Sequence, residues 1–307
     1  MEVKENRIEL KLNDQTSLYG RAWTIEKCVA NVIIMTGMEE HSKRYDEFAR
    51  YLCSRGFDVF CIDAYGQGEN VGKEDLSNRG IWPESGFRKM VHAVDQLVAK
   101  LRVSLRPIYI FSHSMGSFMA QDYIQRYTEH VNKVVLCGSD AKNPAVGIGF
   151  LLARMTTNKK NRNEKSVVLN KMMFGGFNNG IKDPKTPYDW LSYNEENVQN
   201  YIDDPLCGFG PNKAFCYEFL KGLNRLHKRK FLKKIRKDLD ILIISGDKDP
   251  VTKNAKAVGR LSKMYKKLGL QNVQSKVYAN ARHEILNENE EVKKEVFADV
   301  ADFFLAQ

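Results

Sequence analysis

No stretch of this chain approaches the roughly 18 consecutive apolar residues that a membrane-spanning helix requires. The opening segment, Met1-Glu2-Val3-Lys4-Glu5-Asn6-Arg7, is charged and encloses no apolar core, which argues against a secretory signal. The six cysteines (Cys28, Cys53, Cys61, Cys137, Cys207 and Cys216) show no CxxC or other metal-ligand spacing. Several sit inside apolar runs, where a free thiol packs as a small hydrophobe. Without a signal segment, a reduced cytoplasmic setting is expected. Internal repeats and low-complexity tracts are also missing.

What is present is a 307-residue chain, long enough for one large α/β domain or for one domain carrying an insertion. Its 43% hydrophobic and 28% charged residues are ordinary for a globular protein. The net charge is +10, with a basic block from His227 to Lys237. No aromatic stacking platform or nucleic-acid motif accompanies that block, so nucleic acid is not an expected partner. The block reads as an amphipathic helix with Phe231, Leu232 and Ile235 facing the core. Transient contact with an anionic lipid surface is the alternative.

Residues 7–27 alternate in polarity around a turn at Asn13-Asp14-Gln15 and predict an antiparallel hairpin. Cys28 to Met35 predicts a strand buried on both faces. A loop (36–42), an amphipathic helix ending near Gly56, a strand over 58–63 and a glycine-punctuated loop follow. Further helices are expected over about 86–103, 251–268 and 290–304, and further strands over 108–111, 131–137, 241–246 and 273–278. This alternation predicts a mostly parallel central sheet with helices on both faces. It breaks over 141–222, where helix-like stretches (Val146 to Met155, Val167 to Phe174) and no convincing strand predict an inserted helical lid. The expected organisation is core (1–140), lid (141–222) and core again (223–307).

The strand Ile108-Tyr109-Ile110-Phe111 runs into Ser112-His113-Ser114-Met115-Gly116-Ser117 and then into a helical pattern. Such a strand-turn-helix lifts the Ser114 hydroxyl out of the backbone as a candidate nucleophile. A serine needs a base, and the base needs an acid to orient it. On this kind of sheet the chain order is nucleophile, acid, base, each at a strand's C-terminal end. That order passes over His41, His92, His113, His130 and His227 and leaves His283, in Asn280-Ala281-Arg282-His283-Glu284. The acid lies in Gly246-Asp247-Lys248-Asp249-Pro250. Asp249 also reads as a helix N-cap before Pro250, and Asp247 as a turn-closing residue, so the residues alone leave both open. Oxyanion donors are expected from the backbone N–H of Met115 and, in the loop after Ile33-Ile34, of Met38.

These residues resemble the α/β-hydrolase family, in its monoacylglycerol lipase and lysophospholipase-like branch. Thr36-Gly37-Met38-Glu39-Glu40-His41-Ser42-Lys43-Arg44-Tyr45 resembles HGxGEHSxRY, and Asp63-Ala64-Tyr65-Gly66-Gln67-Gly68-Glu69-Asn70 resembles DxxGHGxS. Ser112 to Gly116 resembles GHSMG. Gly246 to Asp249 resembles GxxD, whose last residue is the acid, so the resemblance selects Asp249. Thr36, Glu39, Gln67 and Ser112 depart from these patterns. Glu39 would set a carboxylate near the oxyanion, point outward, or select a cationic or polyol group.

The resemblance implies a serine hydrolase without a cofactor or metal, cleaving monoacylglycerol or lysophospholipid esters through an acyl-enzyme. Phe150, Leu151, Leu152, Met172, Met173 and Phe174 are candidates to shelter the acyl chain. A peptidase or thioesterase on the same fold is the alternative, and a catalytically silent ligand-binding fold is the rival from another class.

Overall fold

The computed structural model describes residues 2–72 and 76–306. Alternating polarity at the start of the chain produces the expected hairpin. Strands β1 (Lys4–Lys11) and β2 (Ser17–Thr24) pair antiparallel from Lys4↔Thr24 to Lys11↔Ser17. In the turn between them Gln15 takes a left-handed φ of 66°.

The chain then winds through β3 (Ala30–Met35), α1 (Asp46–Ser54), β4 (Phe57–Ile62), α2 (Gly86–Leu101), β5 (Ile108–His113), α3 (Met115–Arg126) and β6 (Lys133–Cys137). Helices α4 (Ala145–Thr156), α5 (Val167–Phe174), α6 (Glu195–Asp203), α7 (Lys213–Leu226) and the single turn α8 (Arg229–Leu232) separate β6 from the next strand. The chain closes with β7 (Asp240–Gly246), α9 (Lys256–Lys267), β8 (Val273–Tyr278) and α10 (Glu290–Leu305).

The strands form one sheet in the order β1-β2-β4-β3-β5-β6-β7-β8. β2 meets β4 antiparallel, and every pairing from β4 through β3 to β8 is parallel. Successive strand side chains point to opposite faces, so a strand covered on both sides must be apolar throughout. Ile33, Ile110, Val134 and Ile241 face α2, α3 and α9 in one core. Val32, Ile34, Phe111, Val135 and Leu242 face α1 and α10 in the other, where Phe48, Leu52, Phe297 and Phe304 meet them. Each such fully buried aliphatic or aromatic side chain contributes about 1.5–3 kcal/mol. This is the α/β-hydrolase fold.

Two expected helices are revised. The basic block is not one continuous helix. It forms the turn α8 and then an irregular segment, with Leu232 and Ile235 buried and Phe231 half-buried under the Arg225 guanidinium, 3.7 Å from its ring centre. The helix expected from Val251 starts only at Lys256, because Lys253, Asn254 and Ala255 all take left-handed backbone (φ 57°, 53° and 63°). No helix among the described residues is long and apolar enough to cross a membrane.

Candidate active site

Ser114 sits between the end of β5 and the start of α3 with φ 50° and ψ −117°, a conformation costly for any residue but glycine. The turn is held by the Ser114 N–H, which donates to the Cys137 carbonyl at 3.0 Å on the neighbouring strand. Gly116 is obligatory, since a Cβ there would lie 2.1 Å from the Met35 carbonyl oxygen. Ser112, at the position of the motif's first glycine, fits because it is fully buried in β5 and its hydroxyl donates to the Val135 carbonyl at 2.6 Å.

Asp249 and His283 meet across the ends of β7 and β8: His283 Nδ1 is 3.0 Å from Asp249 Oδ1, and both side chains are buried. Burial works to raise the Asp249 pKa, but the His283 ring and the Val251 N–H (2.8 Å) outweigh it and hold the carboxyl below its usual range. Asp249 does not cap α9, which starts at Lys256 after Ala255. Asp247 is the residue that closes the loop, accepting the Ala281 N–H at 3.2 Å. Gly138, at φ 62°, leaves room for the pair, since a Cβ there would lie 2.9 Å from His283 Cε1. With Nδ1 engaged, the imidazole has only Nε2 free for a second partner. Ser114 and His283 line the same cavity of about 1340 Å³, and no hydrogen bond joins the serine hydroxyl to the ring in this arrangement.

Met38 and Met115 border that cavity, and neither backbone N–H donates to a protein acceptor among the described residues. The loop carrying Met38 is fixed by Gln67. Its Nε2 donates to the Gly37 and Glu40 carbonyls at 3.1 and 3.0 Å, and its Oε1 accepts the Glu39 N–H at 3.0 Å. Glu39, with φ 58°, is buried and has no hydrogen-bond partner for Oε1. Burial pushes its pKa up to about 7, against the opposing pull of the Gly210 amide and the Lys165 charge.

A buried polar network that sequence reasoning missed supports these loops. Glu40 Oε1 accepts from the Gly37 N–H and from Tyr45 Oη (2.7 Å), and Oε2 lies 3.1 Å from Arg44. Arg44 grips Glu284 with two bonds of 2.6 and 2.7 Å. Although burial raises the Glu40 pKa, His113, Arg44 and Tyr45 outweigh it and hold it far below the usual range. His41, passed over in the histidine order, bonds Asp204 at 2.8 Å. The signal was available, because Glu40, His41, Arg44 and Tyr45 are all letters of the loop motif.

His41, Asp204 and Cys207 bring ligand-type atoms within 4.8 Å of one another. His41 Nε2 is committed to Asp204, and burial pushes the Cys207 thiol well up, so this cluster is a poor metal site. Met172, Met173 and Phe174 line the cavity, whereas Phe150 and Leu152 pack on the small core around Ala153 and Leu220, and Leu151 is exposed.

Similarities to known proteins bear on the fold and the family. A probable lysophospholipase L2 of Haemophilus influenzae is 26% identical over 90% of this chain and 84% of its own length. Human monoglyceride lipase is 26% identical over 88% of this chain and 80% of its own. A thermostable carboxyl esterase from Bacillus coagulans, solved in complex with glycerol, superimposes with a TM-score of 0.88 at 26% identity, covering 99% of this chain and 98% of that one. The family described as serine aminopeptidase, S33, matches residues 26–290, and the chain belongs to this family of α/β-hydrolases.

Proposed function

We propose that the protein is a serine hydrolase that cleaves the carboxylic ester of a monoacylglycerol or lysophospholipid. The observation that carries this reading is the joint placement of Ser114, on its strained turn, and the buried His283–Asp249 pair on one cavity with a partly apolar lining. Ser114 Oγ attacks the ester carbon while His283 Nε2 takes its proton, and Asp249 holds the ring and steadies the imidazolium. The Met38 and Met115 N–H groups receive the oxyanion. Collapse breaks the ester bond, and the leaving alcohol takes the proton from His283. Water then repeats the cycle on the acyl-enzyme and releases the fatty acid. No step calls for a cofactor or metal.

Residues 141–222 act as a lid over the acyl site. The exposed apolar side chains of α4 and α5 (Ile148, Leu151, Met155, Val167, Val168), flanked by Arg154, Lys159, Lys160 and Lys171, suit brief contact with an anionic lipid surface. Six unpaired cysteines suit a reducing compartment.

A fluorophosphonate probe tests the core of this reading. Wild type labels at Ser114 and hydrolyses esters, while Ser114→Ala does neither. Folded wild type that resists the probe would reduce the molecule to a ligand-binding fold. The description of the family keeps a peptidase in view. Matched ester, thioester and aminoacyl substrates, compared by kcat/KM, discriminate, and a preference for the last two would overturn the ester reading.

A further inference from the structure

Four cations lining the cavity, Lys142, Lys171, Lys228 and Arg229, have no counter-ion and no hydrogen-bond acceptor among the described residues. Three of the acids lining the same cavity are engaged by other cations. Glu40 and Glu284 are tied to Arg44, and Asp140 is shared between Arg260 (2.8 Å) and Lys253 (3.6 Å). Glu39, whose pKa burial raises to about 7, carries only part of its charge near neutral pH. The cavity lining therefore carries uncompensated positive charge.

Three of the cations are gathered by the fold. Gln121 on α3 donates to Ser139 Oγ (2.8 Å) and to the Asp140 carbonyl (3.1 Å), which fixes the exit of β6 just before Lys142. The same Gln121 holds His227 Nε2 at 3.0 Å, which fixes the segment that continues into Lys228 and Arg229. Lys142 and His227 are neighbours: burial first, and then the Lys142 charge, lower the His227 pKa to about 4. Like charges held together without a counter-ion repel one another and attract an anion. Elsewhere the cavity is lined by Phe118, Met173, Phe174, Phe219, Leu220 and Leu223, which suit a hydrocarbon chain.

We propose that Lys142, Lys228 and Arg229 form a subsite for the phosphate of an anionic lysophospholipid, with the acyl chain on the apolar wall. Within the hydrolase reading, on which this rests, it favours phosphate-bearing lipids over neutral monoacylglycerol. Arg229 supplies a planar fork for two phosphate oxygens, and the lysines act as point charges.

The test compares kcat/KM for lysophosphatidylglycerol and for monoacylglycerol of one chain length, each kept monomeric. Wild type prefers the anionic lipid, and the preference shrinks between about 0.05 and 0.5 M salt. In Lys142→Gln/Lys228→Gln/Arg229→Gln the ratio falls by about 10- to 100-fold, the size expected for lost charge-assisted contacts. In Lys266→Gln/Lys267→Gln, on the exposed face of α9, it stays where it was. An unchanged ratio in the triple variant, with an unchanged Tm, overturns the proposal. Loss of binding to anionic vesicles with the ratio intact also overturns it, assigning the charges to a membrane surface. Inorganic phosphate that binds wild type as tightly as the lysolipid overturns the lipid source and leaves a free-anion site. Ser114→Ala titrated with a non-hydrolysable ether lysolipid reads the subsite without catalysis. Cation-dependent binding there, in a protein that no ester substrate reveals as active, would keep the subsite and discard the hydrolase reading.

Discussion

His113 holds the main chain of His283 from 170 positions away: its Nε2 donates to the His283 carbonyl at 3.2 Å. On the other side its Nδ1 lies 3.1 Å from Glu40 Oε1. A carbonyl and a carboxylate can only accept, so both ring nitrogens carry protons and His113 is a buried cation between them. Its pKa is raised accordingly, the bonds and charge of Glu40 outweighing burial, which alone would lower it. The rings of His113 and His283 lie 4.6 Å apart, so the residue beside the candidate nucleophile also props the candidate base.

His113→Ala is expected to lower kcat by about 10- to 100-fold with little change in KM, because a base displaced by a fraction of an ångström still leaves the substrate cavity intact. Steady-state kinetics beside a thermal melt check this. A matched rise in KM, or a kcat that merely tracks lost folded protein, would mean that His113 does not position the base.

Asp249→Asn is expected to cost about 10³–10⁴ in kcat, since an amide at 3.0 Å from Nδ1 selects the wrong tautomer. Asp247→Asn keeps an oxygen for the Ala281 N–H and should change kcat less than about 10-fold. Kinetics of the two variants side by side decide which carboxylate serves His283. Equal losses would remove the distinction.

Gln67→Ala releases three hydrogen bonds on the loop that carries Met38. Loss of one aligned oxyanion donor costs about 10²–10³ in kcat. The expected signature is a fall in kcat and in the fluorophosphonate labelling rate. Binding of a non-hydrolysable ether lysolipid should be retained.

Glu39 makes stability depend on pH in a stated direction. Its folded pKa, about 7, lies above the ordinary value of 4.5, so the fold favours the protonated carboxyl. The stabilising contribution is complete below about pH 4.5 and is lost as pH rises through about 7, amounting to roughly 3 kcal/mol. Glu39→Gln lacks this slope. Urea denaturation of both proteins at pH 5 and pH 8 should show wild type losing stability relative to the variant at the higher pH. A constant difference would mean that the carboxyl titrates normally.

The parts of the candidate site that follow a chain-order rule could be proposed from the sequence. Ser114, an acid after β7 and His283 after β8 follow from which histidines and acids fall at strand ends. The choice of Asp249 over Asp247 was not readable from the residues, because both occupy one tight turn and only the packed loops show which faces the ring. Pro250 misled on the helix start: the three left-handed residues that delay α9 include an alanine and a lysine, which announce no such backbone. The loop motif marks Arg44 as a residue to watch, but the partners of Arg44 and Gln67 lie 27 to 240 positions away, which no local pattern encodes.

The bonds around the loop that carries Met38 also govern how this chain can be recombined. His41 holds Asp204, the Glu39 carbonyl takes the Gly208 N–H, and Arg44 reaches Asn197 at 3.0 Å. The segment 197–208 and the 39–44 loop are thus one hydrogen-bonded unit, although about 150 positions separate them. A graft that exchanges residues 141–222 alone strands His41 and Arg44 without those partners. A graft that carries residues 39–44 along keeps the unit whole.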